Sequence, residues 1–184
     1  FAAFGKVYDK KTNHTFIVGA SGNAHWRKGD DLFILVAKYV TKKYPNATIK
    51  FVWVGNNIHN KYIIENDIEK LGLKTVVDFV GEQSDPFKFY TNFDIFLLTS
   101  REDPFPLVCI EAAQLKKPIV CFDNASGTAE VIKQGGGFVV PYLDIEAMGE
   151  KIIYYYNNPR KIHEDGEKAN ELFSNFTSAN ICPL

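Results

Sequence analysis

Six short apolar runs, each followed by a stretch of helical period, set what this 184-residue chain can fold into. The first run, TFIVGAS (15–21), is rich in β-branched residues and ends among small ones, as a strand buried on both faces does. DDLFILVAKYVTKKY (30–44) then places Leu32, Leu35, Val36, Tyr39 and Val40 on one helical face. A strand at 50–55, a helix over 60–72 stopped at Gly72 and a strand at 75–81 follow. Ser84-Asp85-Pro86 is expected to cap a short helix. Next come a strand (94–100), a helix (106–117), a strand (118–124), a short helix (128–135) and a strand (137–141). Two helices close the chain, 145–158 and a more polar one at 159–173.

Strands that are apolar almost throughout imply a parallel sheet covered by helices on both faces. Crossovers are then right-handed, and the expected fold class is α/β, a single Rossmann-like, doubly wound sheet of about six strands. Residues 15–184 read as one domain, and residues 1–14 as a connector or lead-in strand. Ligands of such sheets bind beyond the carboxyl ends of the strands, near the point where strand order reverses. The loops after Ala20, Gly55, Val80, Ser100 and Asp123 are therefore the ones to inspect.

Composition removes several alternatives. With 15 Phe, 9 Tyr and 2 Trp at a net charge of −1, the chain has ample apolar surface to bury and is not disordered. No basic excess exists to bind nucleic acid by counterion release. The longest strictly apolar run is Leu32–Ala37, against roughly 20 residues for a membrane span. Cys109, Cys121 and Cys182 form neither a disulfide framework nor a metal pair, which points to a cytoplasmic protein. The four His are scattered without metal-ligand spacing, so no metal site is expected. No G-x-G-x-x-G opens the first helix, and neither a P-loop nor a G-x-S-x-G elbow occurs.

Two stretches carry chemistry. In GASGNAHWRKGDD (19–31), Gly19, Ser21 and Gly22 permit close approach to the backbone, and Arg27 and Lys28 add two cations. Such a loop suits an anionic ligand such as a diphosphate, although taken alone it is a solvated loop with surface charges. In SREDPFPLVCIEAAQLKKP (100–118), Glu111 stands among apolar residues, where a carboxylate is costly unless hydrogen-bonded. A ribose hydroxyl pair supplies such bonds; a structural pairing with Lys116 or Lys117 is the alternative. Asp103, before Pro104, reads as an N-cap or as a carboxylate at the strand end reaching a sugar hydroxyl.

The ordered set of motifs from 100 to 148 resembles the donor-binding, C-terminal half of retaining GT-B glycosyltransferases, glycosyltransferase family 4 or "group 1". Asp103 and Glu111 take the positions of that family's two Glu, and Ala112, Lys117-Pro118, Glu130-Val131-Ile132, Gly135, Gly137 and Asp144-x-Glu146-Ala147 keep its later order. Upstream, Val18-Gly19, Lys28-Gly29, Phe79-Val80-Gly81 and Asp94-Ile95-Phe96 resemble its other landmarks. Two departures are Asp103 in place of Glu, one methylene shorter, and Ala20 where the family usually has Arg.

The resemblance implies catalytic roles for Lys28, Asp103 and Glu111. Lys28, helped by Arg27, would meet the diphosphate of a UDP- or GDP-linked sugar, together with the helix N-terminus formed by Phe105, Pro106, Leu107 and Val108. Asp103 would contact the transferred sugar and Glu111 the ribose. Val80, Gly81 and Glu82 would hold the base. It implies no cofactor or metal beyond the nucleotide-sugar, and an acceptor glycan or lipid-linked glycan held by an N-terminal domain absent from this chain. Peripheral membrane contact would belong to the longer protein. A nucleotide-sugar epimerase of similar architecture and a non-catalytic Rossmann-like module are the alternatives.

Overall fold

The computed structural model describes residues 15–174 and Phe176. The connector expected at 1–14 and Cys182 lie outside them. All six strands are present: β1 (Phe16–Ser21), β2 (Ile49–Val54), β3 (Val77–Phe79), β4 (Ile95–Leu98), β5 (Ile119–Phe122) and β6 (Gly137–Val140). They are parallel, in the order β3-β2-β1-β4-β5-β6. Strand order therefore reverses between β1 and β4, and the loops leaving those two strands flank the switch point.

Helices α1 (Asp30–Lys43), α2 (Lys61–Lys70), α3 (Phe87–Tyr90), α4 (Leu107–Gln114), α5 (Gly127–Ile132), α6 (Ile145–Asn157) and α7 (Pro159–Phe173) cover the sheet. Alternation along β2 shows why its sequence is apolar throughout. Phe51 and Trp53 join one core with Phe33 and Val36 of α1 and Met148 and Ile152 of α6. Val52 and Val54 join the opposite core with Tyr90, Phe93, Cys109 of α4 and Phe173 of α7. Residues one apart on a strand face opposite layers, so a strand with helices on both sides has no polar face.

Three expectations at element ends need correction. β3 keeps regular strand geometry only over Val77–Phe79, although its backbone bonding to β2 continues from the Val80 N–H to Trp53 O (3.0 Å) and from the Gly55 N–H to Gly81 O (2.9 Å). Ser84 and Asp85 do not cap α3: its N-cap is Pro86, without a side-chain bond, and Asp85 pairs with Lys88 at 3.5 Å. α4 ends at Gln114, before the expected 117, since Lys116 takes φ 56° and turns the chain toward β5. Asp144 caps α6, its carboxylate accepting from the Ala147 N–H at 2.8 Å.

Candidate functional site at the switch point

The loop after β1 makes a 3-10 turn at Trp26–Lys28, then enters α1 through Gly29. The loop after β4 is bonded directly to it. Thr99 Oγ1 donates to the carbonyls of Gly29 (2.8 Å) and Lys28 (3.2 Å), and the Arg101 N–H donates to Arg27 O at 2.9 Å. The Arg101 guanidinium forms a fork to Asp31, both bonds 2.8 Å, and reaches Trp26 O at 2.6 Å. Gly29 has φ 73°, and a Cβ there would stand 2.0 Å from Thr99 O. Only glycine lets the two loops meet this closely.

The result is a contact across the switch point: Lys28 Nζ, from the β1 loop, pairs with Asp103 Oδ2, from the β4 loop. Asp103 is 6% exposed and held by a parallel bridge to Ser126, its N–H donating to Ala125 O at 2.9 Å. It is not the cap of α4, which begins four residues later with Pro106 at the cap and no side-chain bond to the first turn. The first-turn amides of α4 thus face the same end of the sheet as Lys28 without a capping side chain.

Glu111, in the second turn of α4, is half-buried. Desolvation raises its carboxyl pKa. It forms no hydrogen bond or ion pair with a described residue. The lysines that offered it a structural partner are used elsewhere, Lys116 by Glu167 at 2.9 Å and Lys117 by Thr91 O at 2.9 Å. Tyr90 lies close by: burial raises its pKa, and the charge of Glu111 raises it further.

Other candidates are placed differently from what their sequence suggests. Gly19 is buried within β1, and a Cβ there would be 1.9 Å from the Phe93 ring, so the approach it permits is by that ring and not by a ligand. The Ser21 hydroxyl is committed to Val54 O at 2.9 Å and shares a 2.5 Å bond with the Tyr90 hydroxyl. Phe105 turns its ring toward Phe176, at 4.9 Å, and Phe173, leaving only its backbone for a ligand. Val80, Gly81 and Glu82 follow the edge strand β3, where Gly81 O accepts from the Gly55 N–H at 2.9 Å. One strand, β2, lies between them and the β1 loop that carries Lys28.

Each partner of the ion pair lines a cleft of its own. One, of about 590 Å³, is lined by Gly22, Ala24, His25, Arg27, Lys28 and His59 among others. The other, of about 370 Å³, is lined by Asp103 with Glu102, Asn124, Ser126 and Glu130. Sequence reasoning missed Ser126, Thr99 and Arg101. The small-residue turn after β5 signalled the first; nothing local signals that Thr99 and Arg101 anchor a loop some seventy residues upstream. Among the described residues no group of His, Cys, Asp or Glu is arranged to hold a metal ion, and no helix is long and apolar enough to cross a membrane.

A doubly wound sheet with its charged site at the β1–β4 switch, entered through a Lys-Gly loop, is a C-terminal domain of the GT-B glycosyltransferase class. Comparison with known proteins narrows this. The family model for glycosyl transferases group 1 matches residues 6–172, and the chain belongs to that family. The capsular polysaccharide biosynthesis glycosyltransferase CapM of Staphylococcus aureus is 28% identical over 175 residues, covering 95% of this chain and 45% of CapM. A crystal structure of a TarM mutant of S. aureus, in complex with fondaparinux, α-GlcNAc-glycerol and UDP, is 31% identical with a TM-score of 0.78, covering 92% of this chain and 34% of TarM. The C-terminal domain of LpcC from Francisella tularensis, 20% identical with a TM-score of 0.75, shares the fold over 86% of this chain and 84% of that one. The chain spans less than half the length of the curated relatives it matches.

Proposed function

We propose that this chain is the donor-binding domain of a retaining, metal-independent enzyme that moves a sugar from a nucleotide-sugar to a glycan or glycolipid acceptor in polysaccharide or glycoconjugate biosynthesis. The observation that carries the proposal is Glu111, a half-buried carboxylate without a partner among the described residues, on the helix that starts at the switch point. A carboxylate so placed is satisfied by two hydroxyl donors side by side, as a ribose presents them. Relatives solved with UDP, such as TarM, support the ligand class.

The remaining chemistry follows from charge. The first-turn amides of α4 and the positive end of its dipole attract a diphosphate. Lys28 exchanges its contact with Asp103 for the phosphoryl oxygens and neutralises the charge that develops on the leaving diphosphate. Freed from Lys28, Asp103 turns its carboxylate to the hydroxyls of the transferred sugar. Arg27, exposed on the same turn, adds a second positive charge where the family usually has Arg at position 20. The backbone of Val80, Gly81 and Glu82 receives the base, which is uracil or guanine. The acceptor site belongs to an N-terminal domain, and the enzyme works in the cytoplasm, with membrane contact made by the longer protein.

Calorimetric titration of this chain with UDP, GDP and ADP tests the proposal. UDP or GDP binds at a single site and ADP does not, and no sugar is transferred by this chain alone. Transfer at a rate usual for intact enzymes of the family would overturn the two-domain reading; failure of all three nucleotides to bind would overturn the donor site.

A further inference from the structure

Beside the donor cleft, between α1 and α2, lies a second recess of about 250 Å³ lined by Trp26, Asp30, Asp31, Asn60 and Asp67. Aliphatic contacts come from Ile34, Ile63 and Ile64. Its volume is just under the range of about 300–1,000 Å³ usual for drug-sized ligands, which leaves room for one small ring.

Trp26 is the feature that needs explanation. It is 63% exposed, yet it is held in place: the Arg101 guanidinium stands 4.7 Å from the ring centroid and is itself fixed by Asp31 and by Trp26 O. An aromatic ring fixed in solvent contributes little to folding and presents a ready apolar face.

The polar groups around it are acceptors. Asp30, 5% exposed, accepts one bond from Asn60 Nδ2 at 3.1 Å. That amide also donates to Ala24 O at 3.3 Å, so the donor end of Asn60 is spent and its Oδ1 is left to accept. Asp67 is half-buried, and its carboxylate has no hydrogen bond or ion pair with a described residue. No Lys or His lines the recess.

An aromatic face beside several acceptors fits a ligand with an apolar C–H face and many hydroxyl donors. Phosphate would be repelled by Asp30 and Asp67, the two carboxylates of the recess that no cation pairs. A lipid surface or an apolar protein face would strip water from those carboxylates and return no hydrogen bonds. A cation would share the ring with the guanidinium already there. We infer that this recess is a subsite for a neutral pyranose unit, stacked on Trp26 and hydrogen-bonded to Asp67, Asp30 and Asn60. The inference rests on the glycosyltransferase reading in one respect, that the pyranose is a unit of the acceptor glycan remote from its reacting end, which the N-terminal domain holds. Trp26 and Lys28 share one turn, so the subsite holds a sugar next to the donor cleft.

The test uses the 184-residue chain and the methyl glycosides of glucose, galactose, mannose and N-acetylglucosamine, followed by tryptophan fluorescence and by saturation-transfer NMR. Trp53 is buried, so a fluorescence change reports Trp26. At least one glycoside is expected to saturate below about 100 mM, with Trp26→Ala weakening it about tenfold and Asp67→Asn about threefold by NMR, and Trp26→Phe retaining part of the affinity. Thermal melts confirm that the variants fold, and their UDP affinity stays within about twofold of the parent. Loss of UDP binding in the parent with glycoside binding intact would remove the donor reading and leave the subsite standing. The inference is overturned if no glycoside saturates, if both variants bind as the parent does, or if choline chloride or phosphatidylglycerol vesicles change the Trp26 signal and the glycosides do not.

Discussion

Gly29 separates the backbone requirement of the Lys-Gly loop from its packing requirement, because Gly72 supplies an internal control. The two residues have nearly the same left-handed φ, 73° and 71°. An alanine at either position meets the same conformational penalty, about 1–2 kcal/mol for an L-residue in that region. At Gly72 a Cβ would touch nothing within 4 Å, so Gly72→Ala should lose only that amount. At Gly29 the Cβ would sit 2.0 Å from Thr99 O and 2.8 Å from its carbonyl carbon, both backbone atoms that cannot rotate away. Forcing the loops apart adds an overpacking cost of about 1–3 kcal/mol, for a total of about 2–5 kcal/mol. It also breaks the Thr99 bonds that position Lys28, so nucleotide affinity should fall in Gly29→Ala and not in Gly72→Ala. Urea denaturation with a shared slope measures the difference. If the two variants lost equal stability, within about 0.5 kcal/mol, the close approach of the loops would not be what requires glycine at position 29.

Further outcomes follow from single groups. Glu111→Ala should weaken nucleotide binding by about 1.5–3 kcal/mol in calorimetry, as loss of hydrogen bonds to a charged group does; unchanged affinity would return Glu111 to a structural role. Since burial raises the Glu111 pKa above its ordinary value of 4.5, the native state binds more protons than the unfolded chain between those two values, and stability falls as pH rises through that window. Glu111→Gln should therefore melt higher than the parent at pH 7, with the gap closing as pH drops below about 4.5; a gap independent of pH would contradict the desolvation. Lys28→Ala should weaken a nucleoside diphosphate far more than the nucleoside, and equal losses would reject its diphosphate role. Tyr155→Phe removes a buried 2.6 Å bond to Asp165 and should lower unfolding stability by about 1.5–3 kcal/mol in urea titration, with nucleotide affinity unchanged.

The sheet was legible because covering both faces forces each strand to be apolar along its whole length, a pattern that shows in Phe51–Val54 without any neighbour being known. Element ends were less so. Ser84 and Asp85 have the right chemistry for a cap, but the backbone begins its turn after them, and composition alone does not fix that phase. Within the site, Glu111 stood out as a charge among apolar residues, while Lys28 and Asp103 read locally as a surface charge and a cap and gained roles only through the family resemblance. Asp103 looked like a cap because its real partner is 75 residues away in sequence. Gly19 shows the same limit, since a missing side chain signals a close approach without saying what approaches, and here it is Phe93. Arg101 and Thr99 are ordinary residues locally and act only through the tertiary contact of two loops.

The central claim is that a nucleoside diphosphate is gripped where the loops after β1 and β4 meet. Amide chemical-shift mapping of the isotope-labelled chain during UDP or GDP titration measures this directly. Saturable shifts concentrated at 22–29, 80–82 and 105–111, and lost in Lys28→Ala, are the predicted result. Shifts confined to another edge of the sheet, or the same shifts in Lys28→Ala, would contradict it.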